Sequence, residues 1–165
     1  MLNLELLDKV DAFKEMNDDQ LSAIKKHCEV VEFQRGDKLF TEGDDARHLW
    51  AVVEGDVDLR FELPGHENSK RTNISSVSVV KEGVAKTLGW SCFVPPHKMR
   101  LSAYCVSRFC KVVKIPGESL IELFEKDTRM GYMFMSFLVK VVGFRFHQFQ
   151  NEVARRRGEY IMSGW

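Results

Sequence analysis

The stretch FQRGDKLFTEGDDARHLWAVVEGDVDL, residues 33–59, decides how this chain folds. Short β-branched, aromatic and aliphatic runs ("KLF", "HLWAVV", "VDL") are cut by Arg-Gly-Asp and then twice by Glu-Gly-Asp. Runs of that kind suit a half-buried pleated surface, and Gly-Asp punctuation between them marks turns. Gly36, Gly43 and Gly55 supply the positive φ that tight turns between strands require. The stretch therefore predicts a succession of short strands.

Outward from it, both flanks change texture. On the N-terminal side, Leu4, Leu7, Val10 and Phe13 recur at helical spacing. After a break at "MNDD", Asn17 or Asp18 can cap a second helix that buries Leu21 and Ile24. On the C-terminal side, "PGHENSKRTN" reads as a polar hairpin tip, and "ISSVSVVKEG" and "SAYCVSRFCKVVKI" as further strands. "PGESLIELFEKD" returns to helix, starting at Gly117 or Glu118. The expected fold class is mainly β with flanking helices. It is a β jelly roll (double-stranded β-helix) in one domain spanning residues 1–165, with N-terminal helices over 1–28, strands over 29–116 and helices over 117–158.

The final helix carries the clearest periodicity. Tyr132, Met135, Val139, Val142, Phe146, Phe149 and Val153 follow an alternating three-four spacing, the a/d seam of a coiled coil. A second stripe, Met130, Phe134, Phe137, Leu138, Val141 and Phe144, lies nearly opposite. A helix apolar on two faces must be covered on both. One stripe is expected to pack on the β domain and the other on a second copy of the chain, making a homodimer.

Bulk properties exclude several classes. The 165 residues carry 24 basic and 24 acidic side chains, a net charge of zero, so no field draws the chain to nucleic acid or an anionic membrane. The N-terminus lacks the pattern of a signal peptide, and the most apolar run is broken by Lys140, so no membrane span is expected. The four cysteines sit in apolar segments without CxxC spacing and read as reduced core thiols of a cytoplasmic protein. The five histidines form no HxH or HxxxH pair, which leaves no metal site. No nucleophile elbow, Walker loop or GxGxxG appears, and no residue set reads as catalytic, so the chain is not expected to be an enzyme. Arg155, Arg156 and Arg157 read as the solvated end of the long helix.

One stretch retains a binding chemistry: TLGWSCFVPPHKMRLSAY, residues 87–104. A glycine turn opening a short helix, followed by an arginine, can hold an anion through backbone N–H groups and a guanidinium. Taken with the glycine series, it makes the whole chain up to Gly158 resemble the cyclic-nucleotide-binding domain of the catabolite activator protein and protein kinase A regulatory subunit family. The resemblance implies a phosphate-binding cassette over residues 89–103 that takes a cyclic nucleotide or another phosphate-containing small molecule. Its contacts would be Gly89, Trp90, Ser91, Arg100, Leu101 and Ser102, with Arg100 on the phosphate and Phe146 or Phe149 of the long helix as lid. The family's ribose-binding glutamate is replaced by Trp90, whose indole donates one hydrogen bond and accepts none. Losing that charged bond costs about 1.5–3 kcal/mol. The implied function is a regulatory, nucleotide- or anion-sensing module that signals through dimer or partner contacts, with no helix-turn-helix following it. The alternative is a ligand-free interaction scaffold whose pocket Trp90 plugs.

Overall fold

The computed structural model describes residues 4–62 and 86–163. The expected hairpin tip at 64–73 and strand at 74–83 lie outside the described residues.

Among the described residues, seven strands form two antiparallel sheets. They are β1 (Glu29–Gln34), β2 (Lys38–Phe40), β3 (His48–Glu54), β4 (Val57–Arg60), β5 (Thr87–Leu88), β6 (Ser102–Cys105) and β7 (Phe109–Pro116). One sheet has the order β1-β7-β3-β5 and the other β2-β6-β4. Odd-numbered strands thus lie in one sheet and even-numbered strands in the other, the alternation of a jelly roll, and the described strands form an open pair of sheets rather than a closed barrel. The first three crossings between sheets are sharp turns made at glycines: Gly36, Gly43 and Gly55 have φ of 93, 89 and 82°. At Gly55 the need is absolute, because a Cβ there would lie 2.3 Å from the Phe109 carbonyl oxygen. The apparent single strand at 102–115 is two strands that separate at Val106–Arg108, where the Ser107 hydroxyl accepts the Asp56 N–H (2.9 Å).

Helices cover one end. α1 (Leu4–Asp8) is shorter than the apolar spacing predicts. Val10 is extended, and a single 3₁₀ turn over Asp11–Phe13 follows. A spacing of three serves a 3₁₀ turn as well as an α-helix, so Val10 and Phe13 are still buried. α2 (Asp18–Lys25) is capped by Asn17, whose side chain accepts the Gln20 N–H (3.0 Å) while the Gln20 side chain accepts the Asn17 N–H (3.1 Å). α3 (Gly117–Lys126) and α4 (Thr128–Ser163) meet at Asp127. The Asp127 carboxylate accepts the Met130 N–H (3.0 Å) and the Gln20 side-chain amide (2.6 Å), tying α2 to the start of α4. α4 also runs past Gly158, since one glycine costs about 1 kcal/mol inside a helix and does not end it.

The two stripes of α4 have different fates. Met130, Phe134, Leu138 and Val141 are buried on the domain. Phe134 stacks against Phe13 (6.1 Å), Phe93 (5.5 Å) and Phe124 (4.9 Å), joining the N-terminal turn, the 90–93 turn and α3 at one ring. Phe144 leaves the inner stripe and is exposed. On the other face Tyr132 and Val139 are 74% and 72% exposed, and Met135, Phe146, Phe149 and Val153 are also exposed, while Val142 is half-buried.

Candidate functional site

Residues 87–101 build one wall of a cavity. Gly89 follows β5 with φ 71°, a left-handed turn, and opens the 3₁₀ turn Trp90–Phe93. Only glycine fits, since a Cβ would meet the His48 carbonyl oxygen at 2.6 Å and the Trp50 ring at 2.7 Å. The returning segment is stitched to the Glu-Gly-Asp turn. Met99 N–H donates to the Asp44 carbonyl (2.9 Å), Gly43 N–H to the Met99 carbonyl (2.8 Å) and Ala46 N–H to the His97 carbonyl (2.8 Å). Lys98 pairs with Asp45 (2.6 Å), and Arg47 pairs with the same carboxylate (3.1 Å). The glycine-punctuated strands therefore hold the loop from behind.

The cavity is half-open, with a volume of about 110 Å³. Its walls are apolar: Phe40 and Leu59 from the sheets, Leu88, Trp90, Met99 and Leu101 from the loop. Thr87 and Ser91 also line it, as do the exposed Phe61, Arg100 and Phe149. No carboxylate lines it among the described residues.

Of the residues singled out by sequence, Gly89, Trp90, Ser91, Arg100, Leu101 and Phe149 meet at this cavity. Ser102 does not. It is fully buried on β6, next to Leu101 but on the opposite side of the strand, and its hydroxyl accepts the Glu42 N–H (2.9 Å). Phe146 lies outside the lining, on the exposed stripe. Arg100 makes no ion pair among the described residues.

Sequence reading missed Arg145. It continues the inner stripe at four-three-four spacing from Phe134 through Leu138 and Val141, is 9% exposed, and lines the cavity from α4. It donates to the Gln148 side-chain oxygen (3.2 Å) and stacks over the Phe144 ring at 5.9 Å. Burial holds its guanidinium down to about 10, so it remains a cation at neutral pH. A charge recurring at the inward position of an apolar stripe was the available signal. Burying a charge is costly unless it is compensated, so such a position is seldom incidental.

The thiols are free. Burial pushes Cys28 and Cys92 up to about 12, far from a reactive range. Among the described residues, no group of three or more potential metal ligands occurs and no helix is long and apolar enough to cross a membrane.

No protein-family model matches the chain, and no curated protein is significantly similar to it. Solved structures are similar. A Geobacter metallireducens protein classed as a cyclic nucleotide-binding protein is 26% identical, with a TM-score of 0.67 over 89% of this chain and 100% of its own. A cyclic nucleotide-binding domain from Methylobacillus flagellatus is 17% identical, with a TM-score of 0.71 over 93% of this chain and 81% of its own. The regulatory domain of Toxoplasma gondii protein kinase A, solved with cyclic AMP, is 18% identical, with a TM-score of 0.56 over 82% of this chain and 48% of its own.

Proposed function

This chain is a domain of the cyclic-nucleotide-binding type, and from that premise we propose that it is a regulatory module that senses a nucleotide or other small anion and signals through a homodimer. It acts by binding rather than catalysis, in the cytoplasm, where four free cysteines are at home. The observation that carries the reading is that one cavity is lined by both the Gly89–Leu101 loop and the long helix, through Arg145 and Phe149. A ligand there touches both the sensor loop and the element that carries the exposed seam.

The coupling has a physical route. A Cβ on Gly117, the first residue of α3, would lie 3.0 Å from the Cys92 sulfur, so the 90–93 turn bears directly on the start of that helix. Phe93 of the same turn meets Phe134 of α4 edge-on at 5.5 Å. A ligand that shifts the turn biases how α3 and α4 dock, to the extent of its differential affinity for the two arrangements. In this reading the stripe Tyr132–Val153 pairs with its copy, as its heptad spacing suits a like helix.

Trp90 supports a second reading. Its side chain is part of the cavity wall, and the volume of about 110 Å³ is below the roughly 300 Å³ typical of small-molecule sites. A ligand-free scaffold would look the same. Titration calorimetry with cyclic AMP, cyclic GMP, a cyclic dinucleotide and small organic anions separates the two. Saturable heat with any of them supports the sensor, and no heat with all of them selects the scaffold.

A further inference from the structure

The walls of the cavity set what it can bury. Phe40, Leu59, Leu88, Trp90, Met99 and Leu101 are apolar, and Gly89 adds only backbone. Leu59, Leu88 and Met99 belong to the core, so packing from behind fixes their positions. Arg145 also lines the cavity, but its guanidinium has partners within the chain, the Gln148 side-chain oxygen at 3.2 Å and the Phe144 ring at 5.9 Å. Its charge therefore calls for no counter-ion from a ligand. No carboxylate among the described lining residues calls for a cation either. What the half-open cavity offers is apolar surface, and removing such surface from water is favourable in proportion to its area. Size sets the second limit. An apolar cavity of roughly 150 Å³ takes a benzene ring, whereas a drug-sized ligand needs roughly 300 Å³ or more. At about 110 Å³ this cavity holds the body of one ring and leaves the ring's substituents at the opening.

Resting on the reading that this cavity is the ligand site, we infer that the part of a ligand it buries is one uncharged aromatic ring of about the size of phenol, and that any charged group of that ligand stays in water at the open side. The ring packs between Leu59, Leu88, Trp90 and Met99, and selection follows from apolar area and fit rather than from ion pairing. A charged group drawn inside would give up its hydration against apolar walls. Trp90 then serves as a wall rather than a plug, because an indole face or edge suits another aromatic ring.

The test uses the full chain and six probes: phenol, p-cresol, 2-naphthol, benzoate, inorganic phosphate and cyclic AMP, measured by calorimetry and by the rise in thermal midpoint. Phenol is expected to bind saturably, and p-cresol about fourfold more tightly, the increment of one buried methyl group. Benzoate is expected to bind no more tightly than phenol, and 2-naphthol within about threefold of phenol, since its second ring finds no room. Trp90→Ala removes one wall and is expected to tighten 2-naphthol about tenfold relative to phenol. Leu101→Trp fills the cavity and is expected to weaken p-cresol at least about tenfold, with circular dichroism showing that the variant folds. Should that variant fail to fold, the 2-naphthol gain in Trp90→Ala still locates the site. Benzoate tighter than phenol by about tenfold would overturn the inference, because charge would then govern recognition. Unchanged p-cresol affinity in a folded Leu101→Trp, or no 2-naphthol gain in Trp90→Ala, would overturn it too, by placing the ring elsewhere. Cyclic AMP or phosphate binding with the ring compounds silent would overturn it while leaving the sensor reading standing. Silence from every probe would sink both.

Discussion

Val139 is the sharpest probe of the proposed dimer. It lies at the middle of the α4 seam and is 72% exposed in the single chain, whereas its neighbour Val142 is half-buried on its own domain. Replacing Val139 by Asp therefore perturbs the partner contact with little effect within the monomer. Full burial of a valine stabilises by about 1.5–3 kcal/mol, so the exposed share of Val139 is worth about 1–2 kcal/mol per copy and about 2–4 kcal/mol across a two-fold interface. The dimer dissociation constant should rise about thirtyfold to a thousandfold, and further because two carboxylates would face each other in a desolvated seam. Monomer stability should change by less than about 0.5 kcal/mol, since Val and Asp have similar helix propensity. Sedimentation velocity reads this directly. The wild type is expected at twice the 19.1 kDa chain mass and Val139→Asp at the chain mass. Ile121→Asp, exposed on α3 away from the seam, should leave the dimer intact. A wild-type monomer, or a Val139→Asp variant that sediments as a dimer, would refute the reasoning.

Other consequences follow from single residues. Gly89→Ala forces a left-handed alanine, at about 1–2 kcal/mol, and a clash with His48 and Trp50, at about 1–3 kcal/mol; thermal unfolding should fall by several degrees, and a change under 1 kcal/mol or so would mean the turn relaxes freely. Phe134→Ala removes the ring on which Phe13, Phe93 and Phe124 converge, and denaturant titration should give a loss of about 3–5 kcal/mol. Glu62 is held from its ordinary 4.5 down to about 2, first by the Tyr104 hydroxyl and then by Ser102 and Lys38. Because the folded value is depressed, its contribution is present above about pH 4.5 and is lost as pH falls towards 2. The carboxylate is 43% exposed, which limits the contribution to about 1 kcal/mol or less. Glu62→Gln should lower stability at neutral pH by about 1 kcal/mol or less, flatten that part of the acid-stability curve and converge on the wild type near pH 2, as followed by circular dichroism.

Much of the fold was legible because local chemistry and tertiary structure agree. Gly36, Gly43 and Gly55 announce turns that the chain makes with positive φ, and Asn17 announces a cap that Gln20 completes. The two stripes of α4 announce two buried faces, and one of them is buried on the domain while the other is exposed in the single chain. The site was legible as far as the loop from Gly89 to Leu101, whose residues are consecutive.

What the amino-acid order determined by itself was the alternation of short strands and turns and the helix periods. These depend on neighbours within one or two turns of chain. Only the folded structure decided that Ser102 turns away from the cavity beside Leu101, that Asp127 ties α2 to α4 across 107 residues, and that Arg145 points inward. The reason is common to all three. Strand parity, helix docking and cavity size are set by distances between segments far apart in sequence, and a charged side chain reads as solvent-facing until packing closes around it.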